Sequence, residues 1–260
     1  MVKSRKPWEG TVWIKQRSLP KVPQITNNGA VLNNLDKMFD KLHAQFMQTA
    51  STPAESQFID ELPQRAMWSW PPFSSLKLSN ALLMCSNSPA PGLSHLSWEH
   101  LKLFLKDDNF HQFFLDLAND IVQMGIWPDA FKQSTTVIIP KPNKKDYTNI
   151  KSYRPIALLE CPGKLISKLI ANQLQSDMVI FNIVHLLQFG GRRHHSTLDA
   201  GLYLTDYITK ACEVGLYTST LALDAAQFFP SLNHNLIRKL LLKEGFNLCL
   251  AHLFKSYYST

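Results

Sequence analysis

Asp224 is the residue with the clearest potential for chemistry in this sequence, because an apolar run leads directly into it. Residues 217–224, Y-T-S-T-L-A-L-D, have the β-branched and apolar composition of a strand. A carboxylate at the end of a buried strand is costly unless it is hydrogen-bonded or bound to a cation, and a strand end holds a metal ligand rigidly. The alternative is that Asp224 caps the turn that follows. Considered alone, Asp224 fits the role of a turn cap better than that of a metal ligand.

A basic turn between two apolar stretches indicates a second kind of chemistry, the binding of phosphates. Residues 133–140 and 153–159 are predicted to be the strands of one hairpin. The cations near its tip are Lys141, Lys144, Lys145, Lys151 and Arg154. Arg makes paired hydrogen bonds to phosphate and Lys acts as a point charge, so the tip could hold a triphosphate. By itself the pattern fits a solvated basic turn better.

A loop rich in Gly and Arg is the third candidate. Residues 188–196, Q-F-G-G-R-R-H-H-S, combine adjacent glycines with two arginines. Glycines allow a ligand to approach the backbone closely, and arginines suit a phosphate backbone. The alternative is an ordinary flexible loop. His194 and His195 are not expected to form a metal site, because adjacent side chains diverge and no third ligand stands nearby.

Helical patterns predict the elements that surround these candidates. Helices are expected at 34–49, 76–86, 97–105, 109–124, 163–178, 197–213 and 235–244. Ser97 is a candidate N-cap, and Gly125 and Gly245 are expected to end the helices before them. Residues 51–75, rich in Pro and Ser, are expected to be a linker or an arm laid over another surface. Helices combined with a hairpin and a later strand make the fold class α+β.

Bulk composition narrows the classes of function. The chain has 260 residues, a net charge of +7 and a pI of about 9.2, which favours polyanionic partners but fits a merely basic protein equally well. Its four cysteines are far apart and form no C-x-x-C pair, so neither a zinc site nor a disulfide framework is expected. No apolar run approaches the roughly 18 residues that span a membrane, and no secretory signal is expected.

Taken in series, these stretches resemble the reverse transcriptases of non-LTR, LINE-like retrotransposons, and look closest to the fungal group. The matching stretches, in the order of the family's motifs, are A-P-G-L-S at 90–94, I-P-K-P at 139–142, Y-R-P-I-A-L-L at 153–159, Q-F-G-G-R at 188–192 and the polymerase motif A around 223–229. The resemblance covers roughly residues 75–260. The hairpin and loop motifs in series are its most specific part.

The resemblance implies a right-hand polymerase fold of which the chain holds a part. Residues 1–75 would be a linker or N-terminal extension, 76–215 the fingers region, and 216–260 the first part of the palm, with an incomplete palm sheet. The family's downstream Y/F-x-D-D motif, which supplies further metal-binding carboxylates, has no counterpart in the 260 residues. The chain is therefore expected to be a fragment of an RNA-directed DNA polymerase that is inactive alone.

The resemblance also assigns roles at the reaction centre. Asp224 would bind both Mg²⁺ ions of a two-metal phosphoryl transfer, and the backbone carbonyl of Ala225 would bind one of them. Phe229 would lie under the sugar of the incoming nucleotide and exclude a 2′-hydroxyl. Two departures from the family pattern, Phe228 and Pro230, put the local shape of this motif in doubt.

The upstream motifs would bind the substrates. Lys141 and Arg154 would hold the triphosphate of the incoming dNTP, and Gln188 and Arg192 would line the template or nucleotide pocket. The implied partners are an RNA template and a DNA primer, with no membrane. Two rival interpretations stay open: a non-catalytic basic nucleic-acid-binding remnant or domesticated module, and the product of a decayed gene that folds poorly. The location is open, although an intracellular one, in the nucleus, would suit a retrotransposon enzyme.

Overall fold

The structure, a computed structural model, describes residues 25–27, 30–32, 34–46, 57–225, 228 and 232–259. Contacts between Cα atoms divide the chain into two compact units. The first unit takes its residues from 1–50 and 135–158, and the second from 51–134 and 159–260. The division into extension, fingers and palm that the family resemblance implies is a different partition, and it stays a prediction.

The first unit packs a helix and short strands around a small apolar centre. Its elements are β1 (Thr26–Asn27), β2 (Ala30–Val31), α1 (Leu35–Phe46), β3 (Ser134–Pro140), a 3₁₀ turn (Ile150–Ser152) and β4 (Tyr153–Leu159). Strands β1 and β2 are antiparallel, with Thr26 opposite Val31, and β3 pairs with β4 as predicted. Ile25, Ile150 and Tyr153 are buried at the centre, and Met38 and Leu42 of α1 pack against them.

The second unit is helical. Its elements are α2 (Gln57–Glu61), α3 (Ser75–Leu83), α4 (Trp98–Phe104), α5 (Asp108–Met124), a 3₁₀ turn (Asp129–Phe131), α6 (Cys161–Ile180), α7 (Thr197–Glu213), α8 (His234–Lys243) and α9 (Leu248–Tyr258). Its core includes the fully buried Leu78, Leu101, Ile121, Leu165 and Ile166. None of the described helices is long and apolar enough to cross a membrane.

Local signals at the helix ends act as the sequence predicts. The Ser97 hydroxyl accepts a hydrogen bond from the His100 backbone N–H, which satisfies a donor that the first turn of α4 leaves free. Gly125 ends α5 with a φ of 66°, in the left-handed region that favours glycine. A Cβ at this position would lie 2.8 Å from the carbonyl oxygen of Cys249, so α9 approaches the end of α5 too closely for any side chain.

The Pro-rich segment before α3 lies on the surface of the second unit. The Trp68 ring stacks on Phe181 with centroids 4.2 Å apart. The Phe73 backbone N–H donates to Asn119 Oδ1 at 2.7 Å, and the Phe73 ring is buried in the core. In its described part, from residue 57 onward, the segment is therefore an arm fixed to the helices.

The predicted strand at 217–224 is wrong in this structure. These residues have no regular secondary structure, and Tyr217, Leu221 and Leu223 are 103%, 81% and 85% exposed. A strand needs a neighbour to pair its N–H and C=O groups. In the described part of the chain only β1 with β2 and β3 with β4 form sheets, so the segment has no strand to join. The mixture of helices and small sheets nevertheless agrees with the predicted α+β class.

Candidate nucleotide and nucleic-acid site

The tip of the β3–β4 hairpin holds Lys141 in place through hydrogen bonds on three of its groups. Its backbone N–H donates to the Ser152 carbonyl at 2.8 Å, and its own carbonyl accepts from the Tyr147 hydroxyl at 2.8 Å. Its ammonium Nζ donates to the Lys151 carbonyl at 2.7 Å. The tip is therefore an ordered turn, and an ordered turn presents its charges at fixed positions.

Positive charges are crowded at this tip. Partial burial lowers the pKa of the Lys141 ammonium below its ordinary value, and the charges of Lys144 and Arg154 lower it further. The acid of the same turn, Asp146, accepts hydrogen bonds from the Thr148 hydroxyl at 2.6 Å and backbone N–H at 2.7 Å. An anion bound at the tip would relieve the repulsion among the cations, which is the electrostatic setting of a phosphate site.

The Gly-Arg loop of the second unit is organised by Arg192. Its guanidinium Nη1 donates to the carbonyls of His185 at 3.3 Å, Leu186 at 3.1 Å and Gln188 at 3.4 Å. The structure thus brings Gln188 and Arg192 together, as it does Lys141 and Arg154 in the first unit. Nη1 of Arg192 therefore stabilises the conformation of the loop, a role that the motif alone did not reveal.

A cavity of about 550 Å³ lies between this loop and the last turns of α6. Its lining includes Gln175, Gln188, Gly190, Gly191 and Arg192. Two polar atoms in the lining residues, Gln175 Oε1 and Arg192 Nε, are shielded from solvent and have no hydrogen-bond partner among the described residues. An acceptor and a donor left without partners suit a polar ligand. Gln175 was not predicted, and its position within the 20-residue helix α6 offered no signal.

Asp224 and Ala225 lie on the exposed irregular segment after α7. No hydrogen bond or ion pair joins the Asp224 carboxylate to another residue that the structure describes. Phe229, the residue predicted to lie under the sugar, is outside the described residues. Within the second unit, the Asp224 carboxylate therefore makes no hydrogen bond or ion pair to another predicted site residue that the structure describes.

Comparison with known proteins gives this arrangement its context. Residues 139–258 match the family model described as reverse transcriptase (RNA-dependent DNA polymerase). These residues belong to a reverse transcriptase domain. The reverse transcriptase match contains the hairpin residues Lys141 and Arg154, the Gly-Arg loop and Asp224.

Relatives extend the similarity across most of the chain. It is 27% identical to the probable RNA-directed DNA polymerase from transposon BS of Drosophila melanogaster, over 88% of this chain and 26% of that protein. The corresponding protein of transposon X-element, from the same fly, is 27% identical over 87% and 26%. The polymerase from mobile element jockey is 28% identical over 63% and 18%. The chain is thus homologous to polymerases of non-LTR retrotransposons and spans about a quarter of the length of the first two.

Reverse transcriptases generally use divalent metal ions, which are held by ligands from several residues. No group of three or more His, Cys, Asp or Glu side chains that could hold a metal occurs among the described residues. A hard cation such as Mg²⁺ takes about six oxygen ligands, whereas the exposed segment offers the Asp224 carboxylate and the Ala225 carbonyl. The described residues of this reverse transcriptase domain therefore do not fit a Mg²⁺ centre by themselves.

Glu160 is a positioning residue that the motifs did not reveal. Its carboxylate accepts a hydrogen bond from the Ser94 backbone N–H at 2.9 Å and another from the Ser94 hydroxyl. Lys164, one turn later in α6, donates to the Ala90 carbonyl at 3.1 Å. These contacts tie residues 90–94 to the start of the helix that follows the hairpin. The sequence feature that could have indicated Glu160 is its position immediately before a helix.

Proposed function

We propose that this chain supplies nucleotide- and template-binding elements of an RNA-directed DNA polymerase from a non-LTR retrotransposon. The observation that carries the proposal is the ordered basic tip inside the reverse transcriptase domain, where Lys144 and Arg154 depress the pKa of Lys141 in addition to the effect of burial. In the described residues this tip has the charge and order that a triphosphate requires. The closer kinship to fungal elements rests on the motifs alone and stays a prediction.

The roles follow from charge and position. Lys141 and Arg154 bind the triphosphate of the incoming dNTP, because a crowded pair of cations gains most from a multivalent anion. Gln188 and Arg192 line the cavity beside α6, which would receive a base or backbone group of the template. In the complete polymerase Asp224 and Ala225 would contribute to the metal centre and Phe229 to sugar selection, as the family resemblance implies.

Triphosphate binding can be measured without catalysis. Titration calorimetry of the 260-residue chain with dATP is expected to give binding that Lys141→Met and Arg154→Met each weaken about tenfold, the loss of one charge-assisted contact. Lys37→Met, on the exposed side of α1 in the same unit, is the matched control and should leave the affinity unchanged. Equal weakening in all three variants would show a merely diffuse attraction and contradict the proposal.

Polymerase activity of the isolated chain is a separate matter. The described residues lack a complete metal centre, so we expect residues 1–260 alone to give no primer extension on an RNA template with Mg²⁺ and dNTPs. A full-length relative serves as the positive control. Extension by the isolated chain that is lost in Asp224→Asn would contradict this expectation while supporting the family assignment.

The alternative function is a non-catalytic nucleic-acid-binding module. The ordered basic tip favours it, because such a tip can bind RNA without chemistry, and in the second unit the Asp224 carboxylate lies on an exposed irregular segment. In that case RNA binding is salt-dependent, survives Asp224→Ala and falls with Lys141→Ala or Arg154→Ala. Binding of RNA without measurable binding of dATP would favour this module over the polymerase element.

A further inference from the structure

A second polar cavity in the helical unit has no part in the proposed polymerase function. It has a volume of about 370 Å³ and lies between α3 and α6. Its polar lining includes Lys77, Asp177 and Arg193, and its apolar lining includes Ala81, Leu169 and Ile180. Its volume is within the range of small-ligand sites. All of its lining residues belong to the second unit.

A buried carboxylate is the feature that points to a ligand. Asp177 is only 9% exposed, and its Oδ2 has no hydrogen-bond partner among the described residues. Burial raises the pKa of this carboxyl, while the Trp68 indole N–H and the Lys77 charge act in the opposite direction. The Trp68 N–H also lacks a hydrogen bond of ordinary geometry. A buried carboxylate oxygen without a hydrogen bond of ordinary geometry is costly, so a ligand that brings N–H donors would be stabilised here.

A fixed cation lies on the same lining. The Lys77 ammonium donates to Gln173 Oε1 at 2.8 Å, and the Gln173 amide nitrogen donates to the Pro71 carbonyl at 2.9 Å. Gln173 is itself buried, so it anchors Lys77. One hydrogen bond leaves an ammonium with further donors. The cavity therefore combines an acceptor, Asp177, with a donor, Lys77.

This combination selects among the nucleobases. Guanine carries two adjacent N–H donors, on N1 and N2, beside a carbonyl acceptor, O6, on one edge. On the same edge adenine has one donor group and one acceptor, cytosine has one donor group and two acceptors, and uracil has one N–H between two carbonyls. Only guanine can offer paired donors to a carboxylate and a carbonyl to an ammonium. Ala81, Leu169 and Ile180 supply apolar surface for the faces of the ring.

A nearby arginine suits the rest of a nucleotide. Arg193 is exposed, and its Nη2 donates to Asn172 Oδ1 at 3.1 Å, which keeps its charge beside the cavity. A phosphate attached to a base in the cavity would be attracted to this guanidinium. We infer that the α3–α6 cavity binds a guanine base, with Asp177 accepting its N–H groups and Lys77 donating to its carbonyl. The inference is independent of the proposed polymerase role.

Calorimetric titration of the full chain with GMP, AMP, CMP and UMP tests base selectivity. We expect GMP to bind about tenfold or more tightly than the others, the discrimination of a good paired contact. Titration with guanosine, which lacks the phosphate, measures how much the phosphate contributes to GMP affinity. Lys37→Met, on exposed surface outside both proposed sites, should leave the preference intact. Equal binding of the four nucleotides, or no binding of GMP, would overturn the inference.

Variants of the lining residues test whether the preference for GMP arises in this cavity. Asp177→Asn keeps the shape of the side chain and is expected to bring GMP affinity to the level of AMP. Asp116→Asn, on the exposed face of α5, is its control. Lys77→Met should weaken GMP binding about tenfold, and Lys210→Met on α7 is its control. Because Lys77 is exposed, this variant still tests the site if Asp177→Asn fails to fold. A preference unchanged by Lys77→Met would refute the assignment. Single-stranded RNA with one G or one A then shows whether the guanine comes from RNA or from a free nucleotide.

Discussion

The carboxylate of Glu160 accepts hydrogen bonds from both the backbone N–H and the hydroxyl of Ser94, across 66 residues of sequence. Burial acts to raise the pKa of Glu160, but these two bonds, a third from the Leu93 N–H and the Lys164 charge outweigh it and hold the pKa below its ordinary value. The contact joins the first motif of the resemblance to the helix after the hairpin.

Glu160→Gln should therefore lower the free energy of unfolding at neutral pH by about 1 kcal/mol, a modest value because the site is partly exposed. Because the pKa of Glu160 is lower in the folded than in the unfolded protein, its contacts stabilise the fold fully above the unfolded pKa of about 4.3. This stabilisation is lost as the pH falls through the folded pKa. Urea unfolding from neutral pH to about pH 3 should show the two proteins converging. Glu213→Gln, at the exposed end of α7, is the control; a constant gap across this range would contradict the pKa assignment.

The lowered pKa of Lys141 predicts a pH limit on triphosphate binding. The ammonium loses its charge at a lower pH than an ordinary lysine, so dATP affinity should fall as the pH rises through that lowered pKa. Lys141→Arg, which stays charged, should keep its affinity over the same alkaline range. Calorimetry at a series of pH values measures both curves, and parallel curves would rule out Lys141 as the titrating group. Because the pKa of Lys141 is lower in the folded than in the unfolded protein, its contribution to folding stability becomes more favourable as the pH rises towards the ordinary pKa of lysine.

Gly125→Ala should destabilise the protein by about 2 kcal/mol, because it combines a positive φ with the close approach of Cys249 and His252. Gly215→Ala is a matched control: its φ is also positive, at 77°, but nothing lies within 4 Å of the added Cβ. The control should cost about 1 kcal/mol from backbone strain alone. Urea unfolding of the two variants separates strain from contact, and equal losses would show that α9 can move away from Gly125.

The uncovered apolar side chains after α7 predict self-association of the isolated chain. Leu221 and Leu223 are 81% and 85% exposed, on a segment whose backbone groups have no strand partner, and such segments promote association. Sedimentation velocity should show species larger than the monomer at high protein concentration. A double change of Leu221→Lys and Leu223→Lys should reduce them, while Ser219→Lys adds charge to the same segment without removing an apolar side chain. A monomer at all concentrations would mean that these residues are covered in solution.

Local signals predicted the elements whose stabilising contacts are close in sequence. Ser97 begins α4 and Gly125 ends α5 through hydrogen bonds within one turn, and β3 pairs with β4 across the short connection at residues 141–152, so residues close in sequence specify these features. The same holds for the basic tip, where Lys141 and Arg154 are brought together by the hairpin they belong to. The α9 helix was missed because its run of mostly apolar residues lacks the alternation of an amphipathic pattern.

The sequence by itself determined the polymerase-type motifs, their order, the α+β class and the basic hairpin, because these depend on residue type and short spacing. Only the tertiary structure decided that residues 217–224 remain outside any sheet, since pairing depends on a neighbouring strand that composition cannot supply. It also decided that Glu160 binds Ser94 and that Asp177 is buried beside Lys77. Those contacts join residues far apart in the chain, and the packing of α3 and the 90–94 loop against α6 is what brings them together.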